Sequence, residues 1–323
     1  MEIRALGKTD LKVTRFSLGT MTFGSQVSET DGIRIVDRCL EAGINFFDTA
    51  NVYNNGLSES ILGKALKGRR HNVVVATKVR GKMGDEPDDV GLSRSAIRKA
   101  VDASLKRLQT DYVDLYYLHQ PDWDTPIEET LSAMDELVRD GKVRYPATSN
   151  YASWQVAQML WVSENHGYTA PTVSQPMYNL LARGIEQEYL ACCKSFGISV
   201  IPYNPLAGGL LTGKHKPQEA PIPGTRFDGN KMYQDRYWHP DYFAAVEQVA
   251  DIARRAGMSL VALAFHWLLS HQIVDSVILG ASRMEQLEEN LKVCQGAPLS
   301  DEVLKECDAV WEKLRGVTPK YNR

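Results

Sequence analysis

The strongest constraint on the fold of this chain is a regular alternation between two kinds of segment. Short apolar runs rich in Val, Ile, Phe and Tyr alternate with amphipathic stretches of helical periodicity, almost from one end of the chain to the other. The runs that we predict to be strands are 16–20, 44–50, 72–79, 113–119, 143–150, 171–179, 198–206 and 275–282. Eight β-then-α units in succession favour a parallel barrel over an open sheet, so we predict an α/β fold of the (β/α)8 TIM barrel type.

The length of the chain suits this prediction. Its 323 residues, 43% of them hydrophobic, are enough to bury the core of one barrel-sized domain or of two smaller domains. No shift in composition marks a boundary between two domains. We therefore expect a single barrel domain over residues 1–323.

Three segments lie outside the alternation. Residues 2–15 have strand character around the turn sequence GKTD, and we predict a β-hairpin that closes the bottom of the barrel. Residues 214–240, rich in Pro, Gly and aromatic residues, are too long for an ordinary connection and predict a functional loop after the seventh strand. Ser300 is typical of a helix N-cap, so residues 300–316 predict a C-terminal helix on the outside of the barrel.

Charge and cysteine content exclude several classes of function. The net charge is -3 and basic residues are scattered among acidic ones, so we expect no nucleic-acid partner and no membrane partner. No apolar run approaches the ~20 residues of a membrane span. The five cysteines show neither CxxC spacing nor a disulfide framework, which is typical of reduced thiols. We expect a cytoplasmic protein without a metal site, and we leave a homo-oligomer open.

Polar residues occupy the ends of three consecutive predicted strands. Asp48 ends the second strand and Tyr53 follows it by five residues, while Lys78 ends the third strand. His119 ends the fourth strand. Each of these residues alone fits an ordinary structural role, such as a cap or a packing residue. Because parallel barrels form their active sites at the carboxyl ends of the strands, their joint occurrence predicts a catalytic site there.

The residue types at these positions suit the delivery of a proton to an alkoxide. A neighbouring Lys78 ammonium is expected to lower the pKa of the Tyr53 phenol from its ordinary value near ~10 toward the range of a general acid. Asp48 would hold Lys78 in place and charged. His119 could donate a hydrogen bond to a carbonyl oxygen and orient it for attack. A hydride or another nucleophile is still missing from this set.

Two other functions, a Schiff-base aldolase and a nucleoside-triphosphate-binding protein, also have partial support in the sequence. Lys78 could be the Schiff-base nucleophile of an aldolase, but that role needs a neutral lysine and Asp48 would keep it protonated. The stretch GGLLTGKH fits most of a phosphate-binding GxxxxGK loop, yet His215 replaces the required Ser or Thr and the following KPQEAPIPG cannot form a helix. A GxGxxG fingerprint is absent, so we do not expect a Rossmann domain.

Motifs along nearly the whole chain resemble those of a known family in one order. They are LGTMTFG, GINFFDTANVYNNGLSESILGKAL, ATKV, DLYYLHQPD, GKVRYPATSN, SQPMYN, IPYNPLAGGLLTGKH and GASRMEQLEEN. On these motifs the chain resembles the aldo-keto reductases, which are (β/α)8 barrels that usually bind NADPH. The resemblance supplies the missing hydride donor and implies a small-molecule carbonyl substrate. It also implies the family's catalytic tetrad, namely Asp48, Tyr53, Lys78 and His119.

The same resemblance implies which residues contact NADPH or NADP+. Ser149, Asn150 and Gln175 would hold the nicotinamide carboxamide, and the Tyr203 ring would stack on the nicotinamide. Near the first strand, Thr20, Met21 and Gln26 match positions that line the cofactor. Asp48 of the tetrad is also expected to contact the cofactor. The contacts expected along the rest of the cofactor and its pyrophosphate are Asn204, Leu206, Gly208, Lys214 and Arg226.

The adenine end can also be predicted from physical principles. Gly280, Ser282 and Arg283 stand at the start of a predicted helix, where free backbone N–H groups and the helix dipole favour an anion. The planar guanidinium of Arg283 suits a phosphate group, so we expect a 2'-phosphate and NADPH over NADH. Along the same helix, Gln286, Glu289 and Asn290 are expected toward the adenine.

The motif TFGSQ, the length of the segment 214–240 and the motif EQLEEN are most similar to one branch of the family, which holds the potassium channel beta subunits and their bacterial relatives. This similarity leaves open a second function, that of a cofactor-sensing regulatory subunit with slow reductase activity. The complete tetrad favours catalysis. Substrate identity is less constrained, although the aromatic residues Phe23, Tyr53, Trp123, Tyr151, Tyr233, Tyr237 and Trp238 suggest aromatic or sugar-like carbonyl compounds.

The fifth predicted strand departs from the family pattern. Related sequences often have a glycine shortly before the Ser-Asn pair, where this chain has Pro146 and Ala147. Proline removes a donor from the strand ladder and Ala147 adds a methyl group near the barrel interior. We therefore expect a local distortion of this strand.

Overall fold

The computed structural model describes residues 1–294, 296 and 298–317. Two short antiparallel strands, β1 (Ile3–Ala5) and β2 (Lys12–Thr14), precede eight parallel strands that form one sheet. The eight are β3 (Phe16–Gly19), β4 (Phe46–Asp48), β5 (Val74–Val79), β6 (Val113–Leu118), β7 (Val143–Ser149), β8 (Val173–Gln175), β9 (Ser199–Val200) and β10 (Val277–Gly280). Their order in the sheet is their order in the chain, with β10 beside β3.

The sheet closes into a barrel. Strand β10 pairs with β3 along its whole length, and the N–H of Asp275, just before β10, donates to the carbonyl of Val200 in β9 at 3.0 Å. Each of the eight strands lies within one of the apolar runs that predicted it. The prediction of a (β/α)8 barrel is therefore confirmed.

Helices connect successive strands and cover the outside of the barrel. They are α1 (Glu29–Glu41), α2 (Leu57–Ala65), α3 (Arg94–Leu108), α4 (Ile127–Arg139), α5 (Ser153–His166), α6 (Tyr189–Phe196), α7 (Lys231–Tyr237), α8 (Pro240–Arg255), α9 (Leu260–Ser270), α10 (Met284–Val293) and α11 (Asp301–Arg315). The Ser300 hydroxyl caps α11, which packs against α8, so the predicted C-terminal helix is confirmed. Within the described ranges, no helix combines the length and the apolar character that crossing a membrane requires.

The alternation of side chains along each strand divides the apolar core into two parts. Residues such as Phe47, Val75 and Tyr116 face outward and pack in the larger cluster with the helices. The residues between them point toward the barrel axis. This interior cluster contains Phe46, Val74, Ala76, Leu115, Tyr117, Ala147, Val173, Ile201 and Ile278.

The hairpin of β1 and β2 closes the N-terminal end of the barrel. Its residues Leu6, Leu11 and Val13 are buried in the interior cluster. Polar bonds fix the hairpin to the strand starts, because Arg144 of β7 donates to Asp10 at 2.8 Å and the side chain of Asn45 accepts from the backbone of Thr14 at 2.9 Å. The prediction of a hairpin at the bottom of the barrel is confirmed.

The seventh barrel strand is shorter than the predicted run 198–206. Strand β9 covers Ser199–Val200, and Pro202 and Pro205 lack the N–H group that a longer ladder needs. Asn204 and Ala207 also have left-handed backbone torsions, with φ of 63° and 49°. The long connection that follows was predicted as a loop over 214–240, but the structure forms the short helix α7 within it.

Strand β7 is continuous through Pro146, so the expected distortion is wrong. Pro146 pairs with Tyr116 and Ala147 pairs with Tyr117 in the regular register with β6. A proline removes only one donor, and the Pro146 carbonyl still accepts from the backbone of Thr172 at 3.2 Å. The methyl group of Ala147 does lie in the barrel interior, as expected.

Candidate active site

Three of the predicted site residues lie at the top of the barrel interior. Asp48, Lys78 and His119 each follow by two residues a side chain of the interior cluster. Because side chains alternate between the two faces of a strand, the pattern that buries the apolar residues below also turns these polar groups toward the barrel axis. They converge at the carboxyl ends of β4, β5 and β6.

Tyr53 reaches the same place through an unusual turn. The turn Tyr53–Gly56 follows β4, and three successive residues in it are left-handed, with φ of 50° at Asn54, 52° at Asn55 and 84° at Gly56. Asn and Gly tolerate this conformation better than other residues, which explains the sequence NNG. The Asn54 side chain donates to the carbonyls of Met21 at 3.0 Å and Phe23 at 2.6 Å, and this fixes the turn to the loop after β3.

A buried ion pair forms the base of the site. Lys78 is fully buried, and its Nζ donates to Asp48 Oδ1 and to the carbonyl of Thr49 at 2.8 Å. The amide of Gln175 donates to the other carboxylate oxygen of Asp48 at 2.8 Å. Burial lowers the pKa of Lys78, but the charge of Asp48 together with the Tyr53 side chain outweighs burial, so the pKa of Lys78 is raised. Lys78 is therefore a charged lysine, unsuited to the Schiff-base chemistry considered above.

The pKa of Tyr53 shifts in the direction opposite to our expectation. Burial of the phenol raises its pKa more than the Lys78 charge lowers it, so the pKa of Tyr53 lies above its ordinary value of 10.0. The Lys78 ammonium lies 5.1 Å from the centre of the Tyr53 ring. Tyr53 is therefore protonated at neutral pH, as a proton donor must be, and Lys78 offers a nearby positive charge for the phenolate that proton transfer would leave.

His119 faces Tyr53 across the mouth of the barrel. The two rings meet edge to face with their centres 5.9 Å apart. Burial, aided by the charge of Lys78, lowers the pKa of His119 to about 3. The imidazole is therefore neutral at physiological pH and offers one N–H as a hydrogen-bond donor.

The residues predicted to hold a nicotinamide form one hydrogen-bonded network beside the tetrad. Asn150, left-handed with φ of 63°, donates to the carbonyl of His119 at 2.8 Å and accepts from the hydroxyl of Tyr203 at 2.8 Å. Ser149 donates to the carbonyl of Gln175 at 2.8 Å. The structure thus brings together the four predicted residues Ser149, Asn150, Gln175 and Tyr203, with Gln175 engaged on Asp48.

The loop after β3 and the long connection after β9 meet across the mouth. The side chain of Gln26 donates to the carbonyl of Gly224 at 2.8 Å, and Arg226 contacts the sulfur of Met21 at 3.0 Å. Thr20 lies below this contact with its hydroxyl directed to the carbonyl of Asp48 at 3.1 Å. Met21, Gln26 and Arg226 therefore surround one edge of the site, whereas the Thr20 side chain is buried beneath it.

In the turn after β9, the backbone of Gly208 lies close to the ring of Tyr233. Gly208 has a φ of 70°, and a Cβ atom there would lie 2.9 Å from the Tyr233 ring. Its N–H donates to the side chain of Asn204 at 2.6 Å. Of the predicted pyrophosphate contacts, Asn204 thus fixes this turn, while Leu206 is only partly buried.

A pair of cations stands at the start of α10. Arg283 is the exposed N-cap residue of α10, and the pKa of Lys214 is lowered by burial and by the nearby charge of Arg283. In the described part of the chain neither residue forms an ion pair, so both remain available to an anion. Gly280 and Glu289, both exposed, flank this position.

Other residues predicted near the adenine are bonded within the protein. The backbone and hydroxyl of Ser282 donate to Gln286 Oε1 at 2.9 and 3.0 Å, and Asn290 donates to the carbonyl of Gly280 at 3.1 Å. These bonds shape the start of α10. Asn290 is buried, which sequence reasoning alone did not anticipate.

Most of the aromatic residues suggested for the substrate pocket pack inside the protein. Phe23, Tyr151, Tyr233 and Tyr237 are buried, and Trp238 packs edge to face on Phe227. Trp123 is 75% exposed, and beside it lies Trp154, 58% exposed, with ring centres 6.5 Å apart. Sequence reasoning missed Trp154, because a lone tryptophan in the first turn of a helix carries no signal of exposure.

Comparison with known proteins agrees with this geometry. Residues 15–312 match the aldo/keto reductase family. The aflatoxin B1 aldehyde reductase member 2 of Rattus norvegicus is 38% identical over 95% of this chain and 87% of its own length. The probable voltage-gated potassium channel subunit beta of Oryza sativa subsp. japonica is 37% identical over 99% of this chain and all of its own length. The uncharacterized oxidoreductase YrpG of Bacillus subtilis (strain 168) is 37% identical over 99% of both chains. This chain therefore belongs to the aldo/keto reductase family of oxidoreductases.

Proposed function

We propose that this protein is an NADPH-dependent oxidoreductase that reduces an aldehyde or a ketone to the alcohol. The observation that carries the proposal is the buried pair of Lys78 and Asp48 beside a protonated Tyr53 and a neutral His119, all at one mouth of the barrel. These groups match the needs of carbonyl reduction, which are a proton donor, a charge to stabilise that donor's conjugate base, and a hydrogen-bond donor to the carbonyl oxygen.

The residues around the mouth fit NADPH. Lys214 and Arg283, which form no ion pair with the described residues, offer positive charge where the phosphates would bind, and the partly buried ring of Tyr203 offers a face to the nicotinamide. Ser149, Asn150 and Gln175 would hold the carboxamide. When bound there, NADPH would supply the hydride that the carbonyl carbon receives.

The chain's own residues then have separate roles in the reaction. The N–H of neutral His119 would donate to the carbonyl oxygen and orient it. Tyr53 would give its hydroxyl proton to that oxygen as the alcohol forms, and Lys78 would stabilise the phenolate left behind. Asp48 and Gln175 would position Lys78, since their mutual hydrogen bond and the ion pair fix the ammonium.

Aromatic or sugar-like carbonyl compounds are the substrate class that we propose. The exposed rings of Trp123 and Trp154 follow β6 and β7, so they stand at the same end of the barrel as the tetrad. Exposed tryptophans offer large flat faces on which a planar or sugar ring can pack. A cytoplasmic location completes the proposal, in agreement with the free state of all five cysteines.

The experiment that tests the proposal follows the oxidation of NADPH by its absorbance. The purified protein is assayed against a panel of aromatic aldehydes, aliphatic aldehydes, ketones and keto-sugars. We expect turnover of at least one class and the formation of one alcohol per NADPH consumed. Absence of turnover with every compound, despite NADPH binding, would reject the reductase proposal.

Arg283→Ala is expected to weaken NADPH binding by roughly 10-fold or more, with a much smaller effect on NADH. The reason is that the guanidinium would contact the 2'-phosphate, which NADH lacks. Fluorescence titration with both cofactors measures the difference. Arg34→Ala, which removes an exposed arginine from α1, is the matched control. Equal weakening of NADPH and NADH would show that no 2'-phosphate binds at Arg283.

The pH dependence of reduction should lack an inflection near 6.5, the ordinary pKa of histidine. Because the pKa of His119 is lowered to about 3 and that of Tyr53 is raised, both groups keep one protonation state from about pH 5 to about pH 9. The measurement is kcat/KM across that range. An inflection near 6.5 that disappears in His119→Gln would contradict the assignment of a neutral His119.

A second candidate function is a cofactor-sensing regulatory subunit with slow reductase activity. The observation that favours it is the similarity over the whole chain to the probable potassium channel beta subunit of Oryza sativa. Tight NADPH binding with turnover too slow to matter on every carbonyl compound would favour this function. Rapid turnover that depends on Tyr53 would favour the enzyme.

A further inference from the structure

Arg80 has a strained backbone at the mouth of the barrel. It directly follows β5, two residues after Lys78, and its φ is 125°. Residues other than glycine rarely adopt such a conformation, which costs free energy unless the surrounding structure enforces it. The Arg80 carbonyl accepts from the backbone of Gly91 at 3.1 Å, so the loop that follows holds the residue in this conformation. Strain of this kind at a site mouth is a reason to look for a function of the side chain.

The Arg80 guanidinium forms no ion pair within the part of the chain that the structure describes. Among residues 1–294, 296 and 298–317 no carboxylate lies within ion-pair distance of it, and its Nε is shielded from solvent without a hydrogen-bond partner. Its charge influences the acidic residue Asp122. The Asp122 carboxylate already accepts from the backbone of Leu92 at 2.7 Å and the hydroxyl of Thr125 at 2.8 Å. The two Nη groups of Arg80 are not shielded in this way and form no hydrogen bond with the described residues, so these two groups keep donors for an external acceptor.

The neighbours of Arg80 lie in the loops at the carboxyl ends of the barrel strands. A backbone hydrogen bond joins Arg80 to Gly91, and the adjacent Leu92 donates to Asp122, three residues after His119. The charge of Arg80 also acts on Asp122 and on Tyr151, which follows Asn150. The hydroxyl of Tyr151 donates to the carbonyl of Gln120 at 3.2 Å, so the loops after β6 and β7 are tied together there. Arg80 therefore lies among the loops after β5, β6 and β7, on the side of the mouth where His119 stands.

We propose that Arg80 binds a carboxylate carried by the carbonyl substrate. This inference rests on the proposed reductase function and deepens it, because it names a charged feature that the substrate must have. A guanidinium can hold a carboxylate through two parallel hydrogen bonds, and its partial burial strengthens them. A single cation near Asp122 suits a monoanion better than the dianion of a phosphate ester, since the carboxylate of Asp122 repels added negative charge.

The test compares two aldehydes that differ in one charge. The probes are 4-carboxybenzaldehyde and its neutral methyl ester, assayed with the wild type, with Arg80→Gln and with a control. The control is Lys82→Gln, which removes a positive charge from the same loop, where Lys82 is 65% exposed and paired with Asp85. We expect the wild type to prefer the carboxylate, and Arg80→Gln to reduce the ratio of the two kcat/KM values about 10- to 100-fold, mainly through KM. Lys82→Gln should leave the ratio within about 2-fold of wild type.

A second variant separates a binding role from a structural role. Arg80→Gly removes the side chain and relieves the strained φ, so the protein should melt at a higher temperature while losing the preference for the carboxylate. A lower melting temperature with an unchanged preference would show that Arg80 is structural and would overturn the inference. A preference for glyceraldehyde 3-phosphate over glyceraldehyde, without one for 4-carboxybenzaldehyde, would overturn the assignment to a carboxylate.

Binding distinguishes failure of this inference from failure of the reductase function. Calorimetric titration of the NADP+ complex with 4-(hydroxymethyl)benzoate measures the carboxylate contact without turnover. Turnover of both aldehydes with the same ratio in wild type and Arg80→Gln would overturn the inference and leave the reductase standing. If neither aldehyde is turned over but the benzoate binds, and Arg80→Gln weakens that binding at least about 10-fold, the reductase function would be overturned and the carboxylate contact of Arg80 would stand.

Discussion

Tyr53→Phe is expected to lose carbonyl reduction by about 10²- to 10⁴-fold while NADPH affinity stays close to that of the wild type. The substitution removes one oxygen atom, which in our proposal carries the proton given to the substrate. The aromatic ring remains, so its edge-to-face contact with His119, 5.9 Å between centres, is retained. Parallel measurement of kcat/KM and of the NADPH dissociation constant separates loss of chemistry from loss of binding.

The matched control for this prediction is Tyr151→Phe. Tyr151 is another tyrosine at the mouth, it is buried, and its hydroxyl donates to the carbonyl of Gln120 at 3.2 Å. Its loss should therefore change turnover by less than about 10-fold, since a neutral hydrogen bond contributes little. Equal turnover in Tyr53→Phe and wild type would remove Tyr53 from the reaction. Equal losses in the two variants would show that hydroxyls at the mouth act on structure and not on proton transfer.

Asp48→Asn is expected to destabilise the fold by about 3–5 kcal/mol and to reduce turnover as well. The amide keeps the shape of the side chain but leaves the fully buried Lys78 ammonium without its counter-charge. Because the pKa of Lys78 is raised largely through Asp48, the lysine must either stay charged without a partner or release its proton, and both outcomes cost free energy. Urea denaturation followed by circular dichroism measures the change.

Glu29→Gln provides the comparison for Asp48→Asn. It also converts the carboxylate of a lysine ion pair into an amide, with Lys64 Nζ at 2.8 Å, but both side chains are about half exposed. Water and salt screen this pair, so the expected loss is less than about 1 kcal/mol. Losses of similar size in the two variants would contradict the view that burial gives the Asp48 pair its importance.

Much of this architecture could be predicted from the sequence because it depends on local patterns. Apolar alternation located all eight strands, and the strand ends located Asp48, Lys78 and His119. The glycine and asparagines after Tyr53 mark a turn. The prolines at 202 and 205 were visible too, although we did not use them to shorten β9.

Other features depend on packing between distant parts of the chain and could not be predicted. The pKa of Tyr53 was predicted in the wrong direction because it depends on how completely neighbouring loops bury the phenol. The hydrogen bond from the Gln175 amide to Asp48 joins residues 127 positions apart, and no local pattern in the sequence indicates it. The torsion of Arg80 follows from the loop that holds it, and the sequence KVRG contains no signal of it.

The hairpin of β1 and β2 determines from which end of the barrel the reactants can bind. Since Leu6, Leu11 and Val13 fill the N-terminal end, the described residues leave the barrel open at the end where the tetrad lies. Two reactants that enter through the same opening must bind in a fixed order. The reactant whose site lies deeper binds first and is released last. The residues proposed to hold the nicotinamide lie level with Asp48, and the exposed tryptophans lie further out. The carbonyl compound would therefore bind after the coenzyme, and its alcohol would be released before the oxidised coenzyme.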